Sequence, residues 1–182
     1  MTYKHLSFVS LFAVAALSAS AQRNVENFNF GWQFHRGNID VTAINTSDGS
    51  WETINVPHDF QISQPWVAPA ANESEDNSDG ASNFKSRLSA RGFKEMGDGW
   101  YVKTYTPAAD MKGRRILLDF EGIMYVGDVY LNGKRIGGTD YGYLGFDIDV
   151  SKLLKYGQAN TIAVHASTSG PLNSRWYTGG GL

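Results

Sequence analysis

The sequence contains no cysteine, and that absence removes several possibilities at once. No disulfide framework staples the fold, no thiolate site holds zinc, and no lipid is attached through a cysteine. Charge is scarce and nearly balanced: 16 Lys and Arg stand against 18 Asp and Glu, a formal net charge of −2. A nucleic-acid partner would call for a basic stripe, and none is present. No apolar run reaches the roughly 20 residues that a membrane-spanning helix needs. Catalytic signatures that depend on spacing are missing as well. There is no Gly-x-Ser-x-Gly elbow, and His35, His58 and His165 show no His-Glu-x-x-His metal spacing. Gly179-Gly180-Gly181 lacks the lysine and helix of a phosphate loop.

What is present begins with a leader. Lys4 and His5 precede an apolar stretch over residues 6–17, which ends in Ser18-Ala19-Ser20-Ala21. A basic start, a short apolar centre and an Ala-x-Ala end predict a secretory signal peptide over residues 1–21, cleaved after Ala21; the alternative is an uncleaved N-terminal anchor. The protein is then expected to be periplasmic or secreted, with no stable membrane anchor. Residues 22–182 suffice for one domain with a substantial core. Aromatics at 13% and 20 glycines suit a turn-rich β protein whose rings fill a core or face sugars.

Strand signals run along the whole chain. Residues 30–35 are aromatic-rich, and residues 51–56 follow a Thr-Ser-Asp-Gly-Ser turn and stop at Pro57. Residues 100–106 alternate Trp100, Val102 and Thr104 against Tyr101, Lys103 and Tyr105. Residues 114–121 put Ile116, Leu118 and Phe120 on one face. Residues 126–131 lead into Asn132-Gly133, a hairpin signal because a type I′ turn needs φ > 0 at both central positions, and residues 134–138 return. Residues 151–156 predict one helical turn, capped by Ser151 and closed near Gly157. Residues 160–166 point Ile162, Val164 and Ala166 inward. The fold class expected is all-β, an antiparallel jelly-roll β-sandwich.

One stretch breaks this rhythm: residues 68–99 form a long polar insert. Within it Glu75, Asn77, Asp79 and Gly80 mimic the start of a calcium loop, but Ser86 stands where the bidentate carboxylate is required, so no metal site is assigned. Asp119 and Glu121, two residues apart on one strand, would share a face, and such a pair is the first candidate for glycoside hydrolysis. Asp-Phe-Glu-Gly reads more simply as a strand end entering a turn.

Seven short motifs occur in order. They are Val56-Pro57-His58-Asp59-Phe60, Gly99-Trp100-Tyr101, Leu118-Asp119-Phe120-Glu121-Gly122, Val129 through Lys134, Gly142-Tyr143 with Phe146-Asp147-Ile148, Asn160 through Val164, and Ser174-Arg175-Trp176-Tyr177. Together they resemble the sugar-binding, galactose-binding-domain-like jelly-roll domain of glycoside hydrolase family 2, the family of β-galactosidases, β-glucuronidases and β-mannosidases. The insert resembles a Bacteroidetes-type subgroup. One departure is Val102, where the family usually has arginine.

The resemblance implies the N-terminal, non-catalytic domain of an exported retaining β-glycosidase, β-galactosidase-like, acting in carbohydrate metabolism. It implies no cofactor. The acid/base and nucleophile glutamates belong to a TIM barrel that follows an immunoglobulin-like domain, so no catalytic residue is expected in this segment, which is incomplete at its C-terminal end. The expected partners are a β-galactoside or related glycan and those missing domains. The resemblance places Asp59 at the −1 sugar subsite, Arg175 near the same pocket, and His58 as the residue orienting the Asp59 loop. Beside these stand plainer readings: Asp59 caps a turn, Arg175 pairs with an acidic neighbour at a domain junction, and Trp176, Tyr177 and Trp100 are packing residues. A free-standing secreted carbohydrate-binding module, or a structural sandwich without a sugar site, is the alternative function.

Overall fold

The computed structural model describes residues 23–68, 93–169 and 179–182. The leader, the calcium-loop-like stretch with most of the insert, and Arg175, Trp176 and Tyr177 lie outside these residues. Among the described residues eight strands are present: β1 Trp32–Arg36, β2 Glu52–Ile54, β3 Asp98–Tyr105, β4 Leu117–Phe120, β5 Val126–Leu131, β6 Lys134–Thr139, β7 Phe146–Asp149 and β8 Asn160–Ser167. Six form one sheet in the order β2-β1-β3-β8-β5-β6, and β4 pairs with β7 in a second. Every pairing is antiparallel. Among the described residues no helix is long and apolar enough to cross a membrane.

The central pair, β3 and β8, runs eight residues in register from Asp98 opposite Ser167 to Tyr105 opposite Asn160. Alternation then sorts the side chains. Phe34, Tyr101, Val164, Val129 and Gly137 fall in one row across five strands on the inner face. Tyr101, Val164 and Val129 are fully buried there. Gly137 leaves the room that Ile148 of the second sheet fills, since a Cβ on Gly137 would collide with the Ile148 side chain. From β4, Phe120 packs into this core and stacks on Phe146 with ring centroids 5.1 Å apart; Ile116 and Leu118 pack beside it, as the period-two pattern predicts. Each fully buried side chain of this size contributes about 1.5–3 kcal/mol.

The outer face of the large sheet is buried too, which the alternation did not foretell. Trp100, Val102 and Ala163 are covered by Ile39, Val41, Ile44 and Trp51 from the connection between β1 and β2. Successive side-chain-capped turns shape that connection. Asp40 accepts bonds from the Thr42 N–H and hydroxyl, Asn45 from the Ser47 N–H, and Asp48 from the Ser50 N–H and hydroxyl. Trp100 is therefore a packing residue, stacked on His165 at 4.6 Å. His165 lies at the core edge, its Nε2 2.8 Å from Asp98.

Some expectations shift. Phe30 precedes β1 and is exposed, β2 shrinks to three residues, β4 to four, and β7 is a strand that alternation left unassigned. The Asn132-Gly133 hairpin forms with φ of 52° and 80°, as a type I′ turn requires. The turn after β7 is capped differently from expectation. Asp149 accepts the Ser151 N–H at 3.0 Å, while the Ser151 hydroxyl oxygen accepts the Ile116 N–H at 2.8 Å and so ties the turn to the start of β4. Aspartate wins the cap because it sits two residues before the free N–H groups, leaving serine for the neighbouring chain. Gly157, at φ 71°, closes the segment.

Candidate functional site

The Asp59 corner is assembled from three distant pieces of backbone. Residues 179–182 lie between the 58–60 segment and Met124. On one side the His58 N–H donates to the Leu182 carbonyl (2.7 Å), the Phe60 N–H to the Gly180 carbonyl (2.8 Å) and the Leu182 N–H to the His58 carbonyl (3.2 Å). On the other, Met124 and Gly181 exchange two bonds of 2.8 Å. The approach is so close that side chains are excluded. A Cβ on Gly181 would strike the His58 carbonyl and the Tyr101 hydroxyl, and one on Gly179 would strike the Asp59 carboxylate. The glycine run, unhelpful as a phosphate loop, is in close contact here, with backbone at Gly181 and with the Asp59 and Thr168 side chains at Gly179 and Gly180.

Asp59 is half-buried, and its two oxygens differ. Oδ1 accepts the Gln61 N–H at 2.9 Å, a side-chain-capped turn, and the Gly180 N–H at 3.0 Å from 121 residues away. Oδ2 accepts no hydrogen bond among the described residues and faces Gly179. The turn-cap reading of Asp59 is thus correct for one oxygen, and among the described residues the other accepts no hydrogen bond. An ionised carboxylate with a free oxygen is an acceptor for hydroxyl donors.

His58 is anchored to the main sheet through Tyr101. Its Nδ1 lies 3.0 Å from the Tyr101 hydroxyl, which also donates to the His58 carbonyl at 3.2 Å. A proton on Nδ1 satisfies both contacts together. Burial lowers the His58 pKa, opposed by the charges of Glu52 and Asp59, so the neutral ring is favoured. Burial raises the Tyr101 pKa and keeps the phenol protonated, against the hydrogen bond from the Leu182 backbone. Tyr101 was legible as one face of an alternating strand and as part of the Gly99-Trp100-Tyr101 motif; its anchoring role appears with the fold. Arg175 falls outside the described residues. Asp119 is an exposed residue of β4, opposite Asp147 and 4.0 Å from Arg23. Among the described residues no group of three or more His, Asp or Glu is gathered as a metal ion requires.

Comparisons with known proteins agree on the kind of domain. The family model described as glycosyl hydrolase 2 galactose-binding domain-like matches residues 85–173. A putative beta-glucuronidase of Formosa agariphila is 33% identical over 163 residues, covering 89% of this chain and 14% of that protein. Beta-galactosidase BoGH2A of Bacteroides ovatus is 29% identical over 171 residues, covering 93% of this chain and 18% of that protein. Among solved structures, a glycosyl hydrolase family 2 member from Bacteroides cellulosilyticus superposes with a TM-score of 0.63 at 33% identity, over 86% of this chain and 19% of the other. A beta-glycosidase from Bacteroides vulgatus gives 0.64 at 31% identity, over 85% and 18%. The chain thus spans less than a fifth of the length of each of these relatives.

Proposed function

We propose, since this chain belongs to glycoside hydrolase family 2 through its galactose-binding-domain-like module, that it serves as the N-terminal, non-catalytic domain of an exported retaining β-glycosidase and lends Asp59 to the −1 sugar subsite. The observation that carries this reading is the asymmetry of the Asp59 carboxylate. One oxygen is fixed by two backbone N–H groups, so the side chain is preorganised, and the other is left to accept a sugar hydroxyl. A β-galactoside is the proposed substrate, in keeping with the β-galactosidase among the relatives; the β-glucuronidases there make a β-glucuronide the competitor to test beside it. The glutamates that do the chemistry belong to a further domain of the same protein. Exposed Ile62 and Trp66, on the loop that follows Asp59, offer apolar surface to that domain. Export rests on the leader sequence at residues 1–21, which supports a periplasmic or extracellular location.

Asp59→Ser in the complete protein tests the site. Serine retains an oxygen for the turn and removes the open one, whereas alanine would remove both. A hydrogen bond to a charged group contributes about 1.5–3 kcal/mol, so kcat/KM on an aryl β-glycoside should fall roughly ten- to a hundred-fold with little change in melting temperature. Unchanged kcat/KM would take Asp59 out of the site.

A further inference from the structure

Two large apolar side chains on the loop after Asp59 stand in solvent: Ile62 and Trp66 are each 71% exposed. An exposed tryptophan is ordinarily free to turn, and this one is held. The Lys94 ammonium lies 3.9 Å from the centroid of the Trp66 ring, and its Nζ donates to the Gln64 carbonyl at 2.8 Å. The backbone is fixed as firmly. Trp66 and Lys94 form an antiparallel bridge. Beside it the Val67 N–H donates to the Phe93 carbonyl at 2.8 Å and the Glu95 N–H to the Pro65 carbonyl at 3.2 Å. Arg36 of β1 ties this short ribbon to the main sheet through Glu95 at 3.2 Å. Phe93 sits in the ribbon at φ 57°, a left-handed conformation that a bulky side chain rarely adopts. An indole held out in water and a strained phenylalanine beside it do little for the stability of this domain, and such local conflicts gather at functional surfaces.

We propose that Trp66 is the anchor by which this domain docks on the domain carrying the catalytic glutamates, and that through this anchor it positions Asp59. The proposal rests on the reading of Asp59 as a sugar contact. A carboxylate of this domain can serve a site whose glutamates lie in another only if the surface around it meets that other domain. Ile62 and Trp66 are the large apolar side chains that the Asp59 loop exposes. Aromatic rings are common interface anchors, since a rigid side chain covers much area and has little entropy to lose. Lys94 has already removed part of that entropy from Trp66. The chemistry of the partner surface follows: an apolar pocket that takes the indole and Ile62, with a carboxylate at its edge for the Lys94 ammonium. A run of hydrogen bonds carries the position of the anchor to Asp59. Lys94 holds the Gln64 carbonyl, the Gln64 N–H holds the Gln61 carbonyl at 3.1 Å, and the Gln61 N–H holds Asp59 Oδ1 at 2.9 Å.

Hydroxyl-radical footprinting of the complete protein tests the docking without any substitution. Ile62 and Trp66 should be oxidised slowly, Trp66 at the rate of the buried Trp32 and Trp100. Oxidation of Trp66 at the rate of an exposed indole overturns the proposal. Substitutions in the complete protein test the positioning role, with kcat/KM on an aryl β-glycoside measured well below the melting temperature. Trp66→Ala should lower kcat/KM roughly ten-fold, and Trp66→Phe should restore most of it. Adding Trp66→Ala to Asp59→Ser should cost nothing further, because both act through one carboxylate. Wild-type kcat/KM in Trp66→Ala, or losses that multiply in the double variant, overturns the positioning of Asp59. Wild-type kcat/KM in Asp59→Ser removes the sugar reading and the positioning role with it, and the footprint still decides the docking.

Discussion

In the middle of the large sheet, Phe34, Tyr101, Val164 and Val129 meet side chain to side chain along one cross-strand row, and what holds them is area removed from water. At the Asp59 corner the contacts are backbone to backbone, with His58, Phe60 and Met124 bonded to a strip of three glycines and Leu182. The two regions share Tyr101, whose ring lies in the core while its hydroxyl reaches the corner. Apolar packing tolerates replacement of similar volume, because dispersion and burial are non-directional. A backbone-built corner tolerates no added atom, because hydrogen bonds fix both distance and direction. The same rigidity holds the Asp59 carboxylate by two backbone N–H groups on Oδ1.

The largest effect should come from the core side. Phe120→Ala is expected to cost about 3–5 kcal/mol in denaturant unfolding, since Phe120 is buried and stacked on Phe146. A loss under about 1 kcal/mol would mean that the second sheet contributes little to the core. The corner should be hurt by an addition instead of a deletion. Gly181→Ala introduces a methyl group against the His58 carbonyl and the Tyr101 hydroxyl, and should destabilise by about 1–3 kcal/mol while also depressing any Asp59-dependent activity. An alanine variant as stable and active as wild type would show that the strip moves freely, and the contrast between the two regions would weaken.

The smallest expected effect is a pH dependence confined to the corner. Burial holds the His58 pKa below its ordinary 6.5, so the unfolded chain binds the proton first as pH falls through that value. Stability should therefore decline on acidification from about 6.5 toward the folded-state pKa and be independent of this group at higher pH. Asp40, Asp48 and Asp149 have pKa values lowered by bonds from Thr42, Ser50 and Ser151, so their contributions are lost only below 3.8, in a separate window. Melting curves between about pH 5 and 7.5 for wild type and His58→Gln should diverge at the acid end. Parallel curves would assign the corner no part in the acid response.

Much of the β architecture was legible because strand alternation is a local property: Ile162, Val164 and Ala166 point inward, Phe120 is core, and Asn132-Gly133 turns the hairpin. The outer layer was not legible. Residues 39–51 carry apolar side chains without strand periodicity, and only their position over Trp100 and Val102 shows what they bury. At the site, Pro-His-Asp-Phe pointed to Asp59 by resemblance, and its turn-capping role by local chemistry. The turn falls on Oδ1, which also accepts the Gly180 N–H, and that difference between the two oxygens is a distinction no sequence contains.

The sequence by itself determined the strand pattern, the cysteine-free reliance on packing, and the family resemblance, because each follows from neighbours in the chain or from ordered motifs. Tertiary structure alone decided that Gly181 has no room for a side chain beside the His58 carbonyl and that Tyr101 anchors His58. The physical reason is distance along the chain: Asp59 and Gly180 are 121 residues apart, and hydrogen bonds at 3 Å depend on where folding places the backbone.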